Sequence, residues 1–464
     1  MRLQWLTTTS LALLVGCAPQ AMRVMQPVPD HDVLGVDGMK LTPDFWVARL
    51  AHPDAVILDA AAIAAQNARL LKLDPSMYNL QRLPTTTERA QVARWIGDLS
   101  ERPSEPLFDI DGHQLTDAML DALLANLALD AIAEHVPTRY GLIVQRAALR
   151  AFPSRMRVFN SVGDTDIDRF QESELYPGMP VAIVHASRDG EWWFVVSPRY
   201  AAWIEKRYVA EGSAQEVFDY VDKAPYRVVT GAVERTVFTR EQPAVSQLQL
   251  DMGVRLPLLS SWRADQPVNG QHAYTSHLLE LPLRADDGSL RFAPALLQKN
   301  ADSADAYLPL TSANVIRQAF KFLGERYGWG HSYDARDCSG FVSDVYRSMG
   351  IEMPRNTSAQ SISPAFNRRP FTQTDGHDVR YAAARALGVG DLVYIPGHVM
   401  MVLGRLDGEP YVIHDTSGLS YRAPDGSIMR VKLNEVSVTP LLPLLLGNQQ
   451  SYVDQMTSIV RMRP

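Results

Sequence analysis

The spacing of hydrophobic residues changes twice along the chain. From 41 to 137 apolar positions recur at helical intervals. The stretch from Asp54 to Leu71 is rich in Ala, Leu and Ile. Thr85-x-x-Glu88 has the form of a capping box, and Val92, Ile96 and Leu99 follow on one face. Thr116 or Asp117 can cap a further helix running to Ile132, with Pro137 beyond its end. From 138 to 310 the pattern becomes that of short strands. Runs at 181–185 and 192–196 flank Asp189-Gly190, a strong hairpin signal, and Asp287-Gly288 separates two more alternating runs. From 311 helical spacing returns. Thr311 or Ser312 can cap a helix carrying Val315, Ile316, Ala319, Phe320 and Leu323. A second helix begins near Cys338, buries Phe341, Val342, Val345, Tyr346 and Met349, and stops at Gly350. Strands over 392–395, 399–403 and 411–414 come after a long loop. The run from Leu441 to Leu446, interrupted by Pro443, reads as a buried strand.

Helices, then strands, then helices and strands again predict a multidomain α+β chain. The expected division is a signal segment at 1–17 and a linker with a helical stabilising domain at 18–137. Two small β-barrels follow at 138–212 and 213–310, and a C-terminal α+β domain at 311–464. Residues 18–40 hold Pro19, Pro27, Pro29, Gly35 and Gly38 and read as a tether. Tyr176, Trp192, Trp193, Tyr200, Trp203 and Tyr208 read first as barrel core and second as the lining of a ligand groove.

Composition narrows the class. The 464 residues are 46% hydrophobic and 21% charged, as in folded globular proteins. A net charge of −7 argues against a general nucleic-acid binder. No apolar run beyond the N-terminus is long enough to span a bilayer. The N-terminus itself has the layout of an export signal: Arg2, a modest apolar region from Trp5 to Val15, then Leu14-Val15-Gly16-Cys17. That ending resembles a bacterial lipobox, which makes Cys17 the expected site of lipidation and membrane anchoring. Ala18 follows it, with no Asp to suggest inner-membrane retention, so a Gram-negative cell would carry the protein on its outer membrane facing the periplasm.

The other cysteine, Cys338, stands at the expected N-terminus of a helix. Free N–H groups there favour a thiolate by roughly 0.3–2 kcal/mol, about one pKa unit. That leaves much of the thiol protonated, so a base is required. Gly397-His398 opens a strand, and alternation puts His398, Met400 and Val402 on one face. His414 lies on the face of Val412 in the next strand. Cys338, His398 and His414 thus supply nucleophile, base and a group that orients the base. No close-spaced ligand set points to a metal, and the reading needs no cofactor.

Several stretches carry a family resemblance: Tyr327-Gly328-Trp329-Gly330, Asp337-Cys338-Ser339-Gly340-Phe341, Gly350-Ile351-Glu352-Met353-Pro354-Arg355-Asn356, and Gly390-Asp391-Leu392-Val393 before Gly397-His398. With His414 they make residues 311–464 resemble the NlpC family of cell-wall cysteine peptidases, a permuted papain-like fold. More weakly, the whole chain resembles members with a stabilising domain and two bacterial SH3-like barrels. The resemblance implies a peptidoglycan hydrolase that acts as a monomer and cuts stem peptides between γ-D-glutamate and a diamino acid, meso-diaminopimelate being the expected one. It puts the triad on Cys338, His398 and His414 and an oxyanion donor on Tyr327. It implies substrate contacts at Asp337, Ser339, Trp329, Arg355 and Asn356. In several members the first barrel favours stems with a free N-terminal L-alanine. Asn356 stands where some relatives have Asp, so Glu172 or Glu174 is the expected source of the missing charge. His331, where glycine is common, reads as a loop residue that shapes the cleft. A peptidoglycan-binding protein with little catalysis, or an acyl or amide transferase on the same fold, are the competing readings.

Overall fold

The computed structural model describes residues 34–263, 265–423, 425–447 and 450–463, so Cys17 and the lipobox lie outside the described residues. The N-terminal helices do not form a core of their own. Trp46, in the short helix Pro43–Val47, packs on the ring of Tyr411 at 5.3 Å between centroids. Asp59 caps the helix Ala60–Leu73 by accepting from the N–H of Ala62, and that helix buries Ile63 and Leu70. These side chains, with Val36 and Met77, join the core of the C-terminal unit. Strand Val56–Leu58 also pairs with Leu310–Thr311. Leu80, Val92, Ile96, Leu123 and Ile132 instead join Phe152, Phe170 and Trp203 of the first barrel. The expected helical domain is therefore shared between two neighbouring cores. Each helix has one apolar stripe, and the nearest surface able to cover it belongs to another part of the chain.

Two boundaries differ from the sequence expectation for local reasons. Thr86–Glu88 is a strand paired with His135–Pro137, so the next helix, Arg89–Leu99, starts after Glu88 and Thr85 forms no capping box. The helix capped by Thr116 ends at Asn126, because Ala128 takes a left-handed φ of +51° and only a 3₁₀ turn follows.

Residues 139–212 form the first barrel region as one seven-stranded antiparallel sheet, whose order runs from Val209–Gly212 at one edge to Gln171–Leu175 at the other. Gly190, at φ +78°, makes the turn between Pro180–Ala186 and Trp192–Val196. Trp192, Trp193, Phe194 and Trp203 are buried in it. Residues 213–310 begin with the helix Ala214–Asp222, fixed by a Ser213–Glu216 capping box. Three small sheets follow, gathered around Val229, Leu250, Leu256, Leu279 and Leu297.

The C-terminal unit packs the helices Ser312–Phe320 and Cys338–Arg347 on a six-stranded antiparallel sheet. Its order is Asn367–Pro370, Ser458–Arg461, Leu392–Ile395, His398–Leu406, Glu409–Thr416 and Glu435–Pro440. Both faces are covered: Val399, Met401 and Leu403 enter one cluster, Met400 and Val402 the other. Within the 441–446 run only Leu444–Leu446 is a strand, although Leu441 and Leu444 are fully buried.

Candidate active site

Cys338 is the first residue of a helix whose every residue is buried. Asp337 caps it, its Oδ1 accepting from the N–H of Gly340 at 2.8 Å. Gly340 has to be glycine: a Cβ there would lie 2.2 Å from His331 Nε2. The preceding loop folds back on the helix start. Tyr327 forms a parallel bridge with Arg336, and the N–H of Gly328 donates to the Arg336 carbonyl at 2.7 Å. The loop thereby sets Tyr327 beside Cys338, and the tyrosine hydroxyl has no hydrogen-bond partner among the described residues. It is free to donate to an oxygen that gains charge.

Cys338 Sγ lies 4.0 Å from the carbonyl of Gly397, the residue before His398. His398 begins its strand, and His398 Nε2 meets His414 Nδ1 at 2.8 Å. His414 Nε2 lies 3.0 Å from Thr439 Oγ1 on the next strand. The chain Thr439–His414–His398 couples the tautomers of the two imidazoles and holds the His398 ring in place, which is what an orienting residue must do. Antiparallel pairing and alternation bring these residues together as the sequence spacing predicts.

Electrostatics differ from the helix-terminus argument. Burial pushes the Cys338 thiol up, and the neighbouring Asp337 carboxylate adds to it; the backbone N–H of Val399 opposes them and does not prevail. Burial also lowers His398 to about 4. His414 is held well below its usual range by burial and then by His398. These shifts all favour the neutral forms of the thiol and of both imidazoles in the substrate-free site.

Next to the cysteine, Arg355 ties the catalytic unit to the first barrel. It pairs with Asp337 Oδ2 at 2.7 Å and donates to Ser339 Oγ at 2.8 Å, Ser173 Oγ at 2.7 Å and the Glu172 carbonyl at 3.2 Å. The Tyr200 hydroxyl donates to the Glu172 carboxylate, and the Asn356 amide stands beside that hydroxyl. Glu172, Tyr200, Asp337, Ser339, Arg355 and Asn356 thus form one cluster. Trp329 lies under the Arg169 guanidinium at 5.7 Å. Glu174 does not join the cluster: its carboxylate is bound by buried Arg146. Burial, outweighing that ion pair, pushes Glu174 up to about 7.

Several contributors escaped the sequence pattern. Tyr200 was one of many aromatics in a barrel, and spacing does not say which one reaches a neighbour. Arg146 carries no motif, yet it clamps the 328–336 loop, donating to the carbonyls of Asp334, His331 and Ala335 at 2.7, 3.1 and 2.8 Å. His331 is fully buried, its Nδ1 2.8 Å from the Tyr176 hydroxyl of the first barrel. It is a loop residue, as expected, and its buried ring packs the junction with the first barrel. Asp415, beside His414, has both carboxylate oxygens buried without a partner.

Residues 324–438 match the NlpC/P60 family, and residues 157–205 match an SH3 domain of the SH3b1 type. A γ-D-glutamyl-L-lysine dipeptidyl-peptidase of Bacillus cereus is 29% identical over 249 residues, 48% of this chain and 67% of that protein. The structure of an NlpC/P60 endopeptidase from Photobacterium damselae subsp. piscicida shares the fold. Its TM-score is 0.72 at 15% identity, covering 89% of this chain and 96% of that one. The chain is a hydrolase of the cysteine-peptidase class. Its catalytic unit is an NlpC/P60 domain preceded by an SH3b domain.

Proposed function

We propose that this enzyme hydrolyses peptidoglycan stem peptides at the amide between γ-D-glutamate and the diamino acid, with meso-diaminopimelate as the preferred residue. The observation that carries the reading is the Thr439–His414–His398 hydrogen-bonded chain ending beside a buried, helix-capped Cys338. The name of the Bacillus cereus relative supports the bond. The Cys338 thiol attacks the γ-carbonyl while His398 takes its proton, and the carbonyl oxygen, now negative, is held by Tyr327 and the Cys338 N–H. Protonated His398 passes the proton to the departing amine as the C–N bond breaks. Water, deprotonated by His398, then cleaves the thioester and releases γ-D-glutamate with a free carboxylate.

The amino end of the stem docks in the Glu172–Tyr200–Asp337 cluster. There Glu172 supplies the negative charge that Asn356 lacks, so stems with a free N-terminal alanine are preferred. Arg355 fixes Asp337 and Ser339 in place, and Trp329 lines the cleft. We further propose an exported monomer, anchored by lipid on Cys17 at the outer membrane and facing the periplasm; globomycin treatment should then leave an unprocessed precursor.

The test is mass spectrometry of digests of defined stem tri- and tetrapeptides, with free and acetylated N-terminal alanine. Cleavage should yield the alanyl-glutamate fragment and a free diamino-acid fragment, with the acetylated stem cut far more slowly. Cys338→Ala should lose at least about a thousandfold in rate, as expected for removal of a nucleophile. Full hydrolysis by that variant would overturn the catalytic assignment. Equal cleavage of both stems would overturn the amine site alone.

A further inference from the structure

Away from the cysteine, a cavity of about 290 Å³ opens where the N-terminal helices, both barrel regions and the catalytic unit meet. Its walls are largely apolar, with Met77, Leu175 and Val254 among them. Two arginines also line it. Arg199 is only 8% exposed and has no hydrogen bond or ion pair among the described residues. Arg347 is 3% exposed; its Nη2 donates to Asp344 and to the Met252 carbonyl at 3.1 Å, its guanidinium lies 4.8 Å from the Tyr176 ring centre, and its buried Nε and Nη1 have no hydrogen-bond partner among the described residues.

Two guanidinium groups in largely apolar surroundings favour an anionic partner. A guanidinium does not shed its proton in a protein, so burial leaves the charge in place. An unpaired buried charge then destabilises the fold. Asp344 and Glu352 offset part of the charge: they outweigh burial at Arg347 and do not at Arg199. Asp344, which pairs with Arg347 through Nη2, is shared with Arg336 at 3.1 Å. Glu352 lines the cavity without an ion pair to either arginine among the described residues. Burial, followed by repulsion from Arg347, lowers Arg199 below its usual range.

We propose that this cavity binds a small organic anion, a carboxylate with a short hydrocarbon body, whose charged end meets Arg199 and Arg347. The guanidinium groups select the carboxylate. The apolar walls select the hydrocarbon, as in most small-molecule sites, where a few polar groups orient a largely apolar ligand. The volume equals roughly that of ten waters at ~30 Å³ each, enough for a short-chain acid and too small for a muropeptide. Because all four parts of the chain contribute walls, the bound anion fastens them together. The site does not depend on the proposed stem-peptide reaction.

Hexanoate is the probe. It should bind the full chain at one saturable site by titration calorimetry and raise the midpoint of thermal unfolding in step with occupancy. Hexan-1-ol, which lacks the charge, and inorganic phosphate, which lacks the body, should do neither at the same concentration. Arg199→Gln should weaken hexanoate at least about tenfold, the loss of one charge-assisted hydrogen bond. Leu71→Trp keeps both charges and narrows the side where Leu71 is 37% exposed, so it should also weaken binding. It provides the test if the arginine variant fails to fold. Prior alkylation of Cys338 should leave hexanoate binding unchanged. Absence of binding, equal affinity in both variants and wild type, an equal response to phosphate, or loss of binding on alkylation would each overturn the proposal.

Discussion

A histidine acts as a base only when neutral, so in the proposed reaction the environment of His398 sets the acid limit. Burial lowers it to about 4, well under the 6.5 of an exposed imidazole. The acid limb of kcat/KM on a stem peptide should therefore lie near pH 4, with activity rising as pH increases through it. A limb at 6.5 would mean that the ring is solvated in the working enzyme. Asp415 gives a second residue-level expectation. Burial, then the nearby Asp337 and Glu325 carboxylates, push its carboxyl well above the usual range. A carboxyl raised in the folded state gives stability that is present in acid and lost as pH rises, so ionised Asp415 burdens the protein at neutral pH. Asp415→Asn keeps the buried polar group and removes its titration, so its stability relative to wild type should rise from pH 5 to pH 8. Urea unfolding at the two pH values measures this, and no rise between them would show that the carboxyl titrates in its usual range.

Among the elements, the 328–336 loop decides whether Tyr327 stands over the cysteine, and Arg146 of the first barrel holds it. That side chain is 5% exposed, pairs with Glu174, meets Asp251 at 2.8 Å and donates to three loop carbonyls. Arg146→Ala leaves Glu174 and Asp251 without one of their counterions, and should cost about 3–5 kcal/mol in urea unfolding. Arg146→Lys should rescue little, because one ammonium cannot reach so many acceptors in a plane. kcat should fall with the loop loosened, while the helix around Cys338, capped by Asp337, remains formed. The elements that carry the chemistry were legible in the sequence because their signals are local. The Thr311 cap and the alternation of His398, Met400 and Val402 each involve residues a few positions apart. The false capping box at Thr85 failed because a partner strand some fifty residues on claimed Thr86–Glu88. The apolar stripes of the N-terminal helices said that one face is buried and were silent about what buries it. Arg146, Tyr200 and Asp415 act through contacts far apart in sequence, and no spacing rule reaches them.

For the molecule as a whole, the joint between barrels and catalytic unit is built from ionised arginines packed around one neutral histidine. His331 touches Tyr176 of the first barrel and the Gly340 position of the cysteine helix. Burial lowers it first, and Arg355, Arg146, Arg336 and Arg199 lower it further. A proton there would add a fifth positive charge to a closed space. The unfolded chain accepts that proton near pH 6.5, whereas the folded chain does so only well below it. Between those values the unfolded state binds more protons, so stability rises with pH and is lost as pH falls. The loss from this residue reaches at most about 1.4 kcal/mol per pH unit. Glu174, raised to about 7, acts in the opposite sense: between 4.5 and 7 the folded chain keeps a proton that the unfolded chain has released, so this contribution is lost as pH rises. Total stability against pH mixes the two, and the His331→Asn variant separates them. Its unfolding free energy relative to wild type should climb steadily as pH falls below 6.5 and stay level above 7. Hydrogen-exchange protection factors, corrected for the intrinsic pH dependence of exchange, should fall in the 328–340 segment of the wild type over the same acid range, as the joint opens before the sheets. A difference between variant and wild type that is constant from pH 7 to pH 5 would mean that His331 keeps its ordinary affinity for protons. The arginine cage would then be open to water.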